Sequence, residues 1–172
     1  MKKIGLMAFV MLISISAVFA QKIAVLEFSA GEGVSQSYAD SLTKSFAKFL
    51  KIGGSSIVEQ SQLEKALYDN GFKARKLSDE QKILLTKALD SDKIISGEVT
   101  FENGQYMLGV SAFDIKWKTD MVRDSIVWEN WTDYPEVMKN LSKNFASKVQ
   151  TGSLLIEIMM DTFRAQLGLQ QQ

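Results

Sequence analysis

Five carboxylates stand in or beside short apolar runs: Glu27, Glu59, Asp92, Glu98 and Asp114. Paired carboxylates do acid–base work on a glycosidic bond, one donating a proton while the other attacks or activates water. Asp92 and Asp114 read more simply as turn and strand-edge residues. Gly31-Glu-Gly33 lies between a strand-like and a helix-like run, where free amides and the helix dipole favour a phosphate. The third glycine of a dinucleotide fingerprint is missing, as is the Lys-Ser/Thr of a phosphate loop, and Glu32 would repel an anion. The plainer reading is a flexible turn into the helix. Histidine and cysteine are absent. No serine therefore has an imidazole base, and thiolate chemistry, disulfides and the usual zinc sites are excluded. Metal binding by carboxylates alone stays open, and no cofactor is expected.

The 172 residues suffice for one domain with a real core, and 46% hydrophobic with 23% charged residues is a globular composition. Acidic and basic residues balance at 20 each. That balance gives no electrostatic reason to expect nucleic acid. Lys2 and Lys3 precede the uncharged, mostly apolar run from Ile4 to Phe19, and Val18-Phe-Ala20 suits a cleavage site. Residues 1–20 are expected to be a secretory signal peptide cut between Ala20 and Gln21. No membrane segment is expected in the chain after that cut.

The elements that would position these residues follow in order. Ile23 to Phe28 is a short continuous apolar strand. Ser35 caps a helix whose face is Val34, Tyr38, Leu42, Phe46, Phe49 and Leu50, and Gly53-Gly54 ends it. Ser56 to Glu59 is a second strand. Strand, helix and strand in this order imply a right-handed crossover and parallel pairing. Ser61 with Glu64, and Ser78 with Gln81, have the spacing of capping boxes. The first of these helices buries Leu63, Ala66 and Leu67; the second draws on Ile83, Leu84, Ala88 and Leu89. Lys93 to Phe101 and Gln105 to Trp117 flank Asn103-Gly104, a strong hairpin signal. Lys118-Thr-Asp120 turns the chain into a strand from Val122 to Trp131. Asp133, Pro135 and Glu136 open a helix with the inner stripe Val137, Leu141, Phe145 and Val149, broken at Thr151-Gly152. Ser153 caps a last helix, with Leu155, Ile158, Met159 and Phe163 on one side.

The expected fold is a single α/β domain over residues 21–152, followed by a C-terminal helix and tail, 153–172. Its mixed sheet has two parallel strands plus a three-stranded antiparallel meander, flanked by helices. Trp128 is expected in the core. Trp117 and Trp131, at strand ends, are candidates for an interaction surface, because exposed aromatics bury large area at low entropic cost. Leu154, Ile156 and Met160 widen the apolar surface of the last helix beyond one stripe, and such a helix needs a partner.

Ile23-Ala-Val-Leu-Glu-Phe-Ser29 resembles the opening strand of the curli-secretion protein CsgG family, of TolB N-terminal-type domains and of the penicillin-binding-protein activator LpoB. Ile57 to Phe72 is similar to that group's second strand and helix, with Gln60 where Arg is common. Ala88 to Thr100 resembles its turn and its strand ending in Gly-x-Val. Phe113-Asp-Ile115 and Thr119-Asp120 resemble its Asp-bearing strand and Thr-Gly turn, with Asp120 in place of Gly. The resemblance spans about Lys22 to Trp131. It implies an envelope location and work through protein contacts, in assisting outer-membrane secretion or envelope assembly. The expected protein is thus periplasmic or secreted, non-enzymatic, and partnered by envelope proteins, with homo-oligomerisation left open. The alternatives are a carboxylate enzyme acting on glycan or peptidoglycan, and a self-assembling structural subunit.

Overall fold

The computed structural model describes residues 21–52, 55–73 and 75–166. The expected signal segment and the Gly53-Gly54 stop lie outside them. The sheet has six strands: β1 (Lys22–Val25), β2 (Ser29–Ala30), β3 (Ser56–Ile57), β4 (Lys93–Glu102), β5 (Gln105–Asp114) and β6 (Thr119–Trp128). Four α-helices flank it: α1 (Gln36–Phe49), α2 (Gln60–Asp69), α3 (Asp79–Leu89) and α4 (Tyr134–Gln166). The main order is β3-β1-β4-β5-β6, with β2 also on β4. β1 pairs in parallel with β3 and β4, and β4, β5 and β6 form an antiparallel meander. The expected α/β fold with a mixed sheet is therefore the one observed. The middle of the sheet is β4: the second crossover carries the chain back past β1 to its other side.

Alternation along the strands sends side chains to two cores. One face holds Ile23, Val25, Ile95, Val99, Leu108 and Val110 under α1 and α4. The other holds Ala24, Ile94 and Phe113 under α2 and α3. Trp128 is buried in the first, as expected. Asn103 and Gly104 both have positive φ, 52° and 81°, which matches the twist of a two-residue hairpin. The next turn occupies 115–118 and pivots on Lys118 at φ 55°. Thr119 and Asp120 accordingly open β6 instead of turning, and Trp117 belongs to the turn.

Three helix expectations are corrected. The capping box at Ser61 and Glu64 does not form: β3 ends at Ile57, Glu59 takes the cap position, and Gln60 Nε2 donates to Glu64 Oε1 at 3.1 Å. α3 buries Lys82, Leu85, Thr86 and Leu89, while Leu84 is exposed and Ala88 faces solvent. α4 runs unbroken through Thr151-Gly152, because Gly152 still lies against β6: a Cβ there would sit 3.4 Å from Val122 Cγ2.

The box at Ser78 and Gln81 does form. Ser78 Oγ accepts from the Gln81 amide at 3.3 Å, and the Ser78 amide donates to Gln81 Oε1 at 3.0 Å. Within that first turn, the Glu80 carboxyl is held below its ordinary pKa by a backbone N–H and then by the Ser78 hydroxyl. Ser78→Ala is expected to cost about 1 kcal/mol. Urea unfolding of the variant checks it; an unchanged midpoint would show that α3 does not depend on this cap.

Candidate interaction surface

The two sheet faces are not equally covered. α1 and α4 lie over one. On the other, α2 and α3 cover the β1 side and Phe113, leaving part of β4–β6 without a helix. The registers place three rows of side chains on that bare area: Ser96–Ser111–Arg123, Glu98–Gly109–Ser125 and Thr100–Met107–Val127. Met107 and Val127 are 47% and 52% exposed. The first two rows floor a groove of about 720 Å³ whose wall includes Arg75 and Lys76. The groove lies beside the reversal of strand order at β1 and β4, a place where α/β sheets commonly bind ligands.

The groove's charges are paired. Lys76 Nζ is 2.9 Å from Glu98 Oε1. Lys82, buried over the Phe113 ring, lies 3.2 Å from Asp120, which Arg123 also reaches at 3.3 Å. Asp124 is held by Lys148 of α4 at 2.7 Å. Arg75 pairs with Glu27 at 3.2 Å. Of the other carboxylates named from sequence, Asp114 pairs with the buried Lys93, and Asp92 accepts the Lys22 amide at 2.8 Å. Each of these carboxylates is thus engaged by a cation or an amide of the same chain. Among the described residues there is no metal-binding cluster of three or more carboxylates. No described helix is long and apolar enough to cross a membrane.

Gly31-Glu-Gly33 is a strap bound to the sheet. One amide and one carbonyl bond to β4: the Gly31 amide donates to Val99 O and Glu32 O accepts from the Phe101 amide, both at 2.8 Å. Gly33 has φ +73°, and a Cβ would fall 2.5 Å from Phe101 O. The segment is thus held against β4 at Gly31, Glu32 and Gly33. Gly33→Ala is expected to cost roughly 2 kcal/mol from left-handed strain and this approach. The variant's melting temperature checks it: no fall would mean that the strap yields freely.

The expected surface residues fall in separate places. Trp117, half-buried under Lys116, sits in the turn before β6. Trp131 follows β6, and a ten-residue strand puts about 30 Å between the two ends. Trp131 stacks with Tyr38 and Tyr134 in an aromatic cluster that also holds Tyr106 and Trp128. Burial, then the Tyr106 hydroxyl, raises the Tyr38 phenol above its ordinary pKa and keeps it protonated. Ile156 is partly exposed on α4, while the side chains of Leu154 and Met160 lie outside the described residues. Leu155, Ile158 and Met159 are exposed at 55%, 54% and 68%. From sequence the bare face is legible on β6, where Arg123, Ser125 and Glu129 mark a partly solvated side, but not on β4 and β5. Its signal was the small and polar alternation Ser96-x-Glu98, Gly109-x-Ser111 and Arg123-x-Ser125, which marks one uncovered face of a meander.

No family model and no curated protein matches the sequence. Solved structures do share the fold. The LpoB C-terminal domain from Escherichia coli superposes with a TM-score of 0.53 at 10% identity, covering 72% of this chain and 93% of that one. Lipoprotein GNA1162 from Neisseria meningitidis gives 0.55 at 13% identity, covering 73% and 96%. The LpoB C-terminal domain from Salmonella enterica gives 0.51 at 10%, covering 70% and 92%. The described chain therefore has an LpoB-like fold.

Proposed function

We propose that this is an exported, non-enzymatic envelope protein that acts by binding other proteins, in secretion or assembly at the outer membrane. One observation carries the reading: three strands expose a face of serines, glycine and paired charges, and the outer edge of β6 is not paired among the described residues. The opposite edge, β3, is only two residues long, a common way of blunting an edge. β6 is ten residues long and has no proline. The fold shared with the LpoB C-terminal domain and lipoprotein GNA1162 supports an envelope setting, as does the resemblance at Ile23–Ser29. Residues 1–20 serve as the export signal on this reading, and Trp117 and the end of α4 with Ile156 add secondary contacts.

The test is capture from a periplasmic fraction with the chain from Gln21 onward, beside the same chain carrying Gly109→Tyr. A Cβ at Gly109 meets nothing within 4 Å, so the new ring fills the groove without disturbing the core. A partner held by the wild type and lost by the variant is expected. Capture of nothing above background, or equal capture by both, would overturn the reading.

A further inference from the structure

The hairpin at Asn103-Gly104 fixes where the backbone groups of the meander point. Its two-residue loop makes Glu102 and Gln105 a hydrogen-bonded pair. Bonded and non-bonded pairs then alternate, so the odd-numbered residues of β5 bond to β4 and the even-numbered ones turn to β6. On β6 the residues opposite them, Val122, Asp124, Ile126 and Trp128, take up those bonds. Arg123, Ser125 and Val127 therefore aim their amides and carbonyls away from the sheet. The Ser125 amide agrees with this: it donates to the neighbouring carboxylate, Asp124 Oδ1, at 3.0 Å. Among the described residues no strand meets this row, and such a row is a template for another strand.

The side chains of β6 narrow the choice of that strand. The register shift at Ala112/Phe113 leaves Met121 as the extra residue of a bulge, which bends the edge there. The regular edge thus starts at Val122. It continues to Glu129, which Gln105 Nε2 reaches across the strands at 3.2 Å. Arg123 and Glu129 are exposed on one face near the two ends of this stretch. Asp124, on the other face, is already neutralised by Lys148 of α4 at 2.7 Å.

We infer that this edge pairs antiparallel with β6 of a second copy, about a two-fold axis at Ile126. In that register Ile126 meets its own counterpart, and on either side Ser125 faces Val127 and Arg123 faces Glu129. Within the regular stretch only this axis sets opposite charges face to face. An axis at Arg123, Asp124 or Glu129 opposes like charges, and one at Val122 sets Asp120 against Asp124. The Ser125 amide then exchanges a side-chain acceptor for the Val127 carbonyl of the other copy. The same patch serves both copies, so the contact closes at two. It goes beyond the protein-binding reading above and leaves the groove free. The axis stands normal to the sheet, so the two bare faces lie on one side and join.

The experiment is sedimentation of the chain from Gln21 onward over a wide concentration range. It compares wild type, Val127→Pro, Arg123→Glu, Glu129→Arg, and the last two mixed. Wild type is expected as pairs that dissociate on dilution. Val127→Pro removes an outward amide that β5 does not use; it is expected to keep its circular dichroism and sediment as single copies. Each charge variant opposes like charges at both ends and is expected to pair at least about tenfold more weakly. Mixed, the two restore both ion pairs and are expected to pair about as tightly as wild type. Monomeric wild type at the highest concentration, assemblies larger than two, a folded Val127→Pro that pairs, charge variants that pair like wild type, or a mixture no tighter than either variant would each overturn the inference. So would monomeric wild type that captures an envelope protein lost with Val127→Pro, since the edge would then take a foreign strand. Gly109→Tyr separates the two claims. Pairing without any captured partner leaves the inference and removes the protein-binding reading; capture that Gly109→Tyr abolishes, without pairing, does the reverse.

Discussion

Phe46→Ala is expected to lower the unfolding free energy by about 3–5 kcal/mol, the range for removing a buried phenylalanine. Phe46 is fully buried and ties three layers together. Its ring packs edge-on against Phe28 next to the sheet at 5.4 Å and against Phe145 of α4 at 5.9 Å. Its carbonyl accepts the Ser142 hydroxyl of α4 at 3.0 Å. Alanine keeps the backbone acceptor, so the loss is the transfer free energy of the ring plus the cavity left between rigid elements. In a domain of this size the melting temperature should fall by roughly 10 °C. Phe46→Leu, which retains much of the volume, should lose clearly less. Thermal and urea unfolding by circular dichroism measure both. Equal losses would show that shape at this site matters less than the packing implies, and a loss under about 1 kcal/mol for alanine would mean that the cavity collapses.

Lys93→Met is expected to cost a comparable amount, about 3–5 kcal/mol, for an electrostatic reason. Lys93 opens β4 and Asp114 closes β5; they are cross-strand partners, with side chains 3% and 8% exposed. Asp114 also accepts the Lys116 amide at 2.9 Å, which fixes the turn toward β6. Removing the ammonium leaves a carboxylate out of water with one amide for company. Replacing both partners, as Lys93→Met with Asp114→Leu, removes the desolvation penalty with the attraction and should recover most of the loss. The recovery falls short by the turn hydrogen bond, about 1 kcal/mol. A double-mutant cycle in urea reads the coupling directly. Additive single effects would show that the two charges do not act as a pair.

The same pair shows what a sequence conceals. A lysine before Ile94-Ile95 reads as the solvated start of a strand, and Asp114 as an edge residue. Only the register that sets residue 93 opposite 114 buries them together. Lys82 is the parallel case on a helix. The apolar periodicity of α3 points to Ile83 and Leu84, yet the side that meets the sheet carries Lys82. That lysine is accommodated because Phe113 lies beneath it and Asp120 arrives from β6, 38 residues later. Helical period alone cannot choose between neighbouring faces when the buried cation finds its counter-charge on a distant strand.

Local chemistry determined a good deal by itself. Asn103-Gly104 specified the hairpin because both residues tolerate positive φ. Ser78 and Gln81 specified a helix start because their side chains satisfy two orphan amides. The order strand, helix, strand specified parallel pairing and, with the meander, the α/β class. These features depend on groups within a few residues of one another. Tertiary structure decided the rest. Gly152 did not end α4, because the helix was already held along β6. Ser61 did not cap α2, because the strand before it stopped early. Of the carboxylates that seemed free for chemistry, Asp114, Glu98 and Glu27 were claimed by Lys93, Lys76 and Arg75, and Asp92 by the Lys22 amide. The bare face of β4–β6 exists only because α2 and α3 are too short, and too far to one side, to cover it. Coverage of a sheet depends on where helices land, and that is a property of the assembled layers that no local pattern encodes.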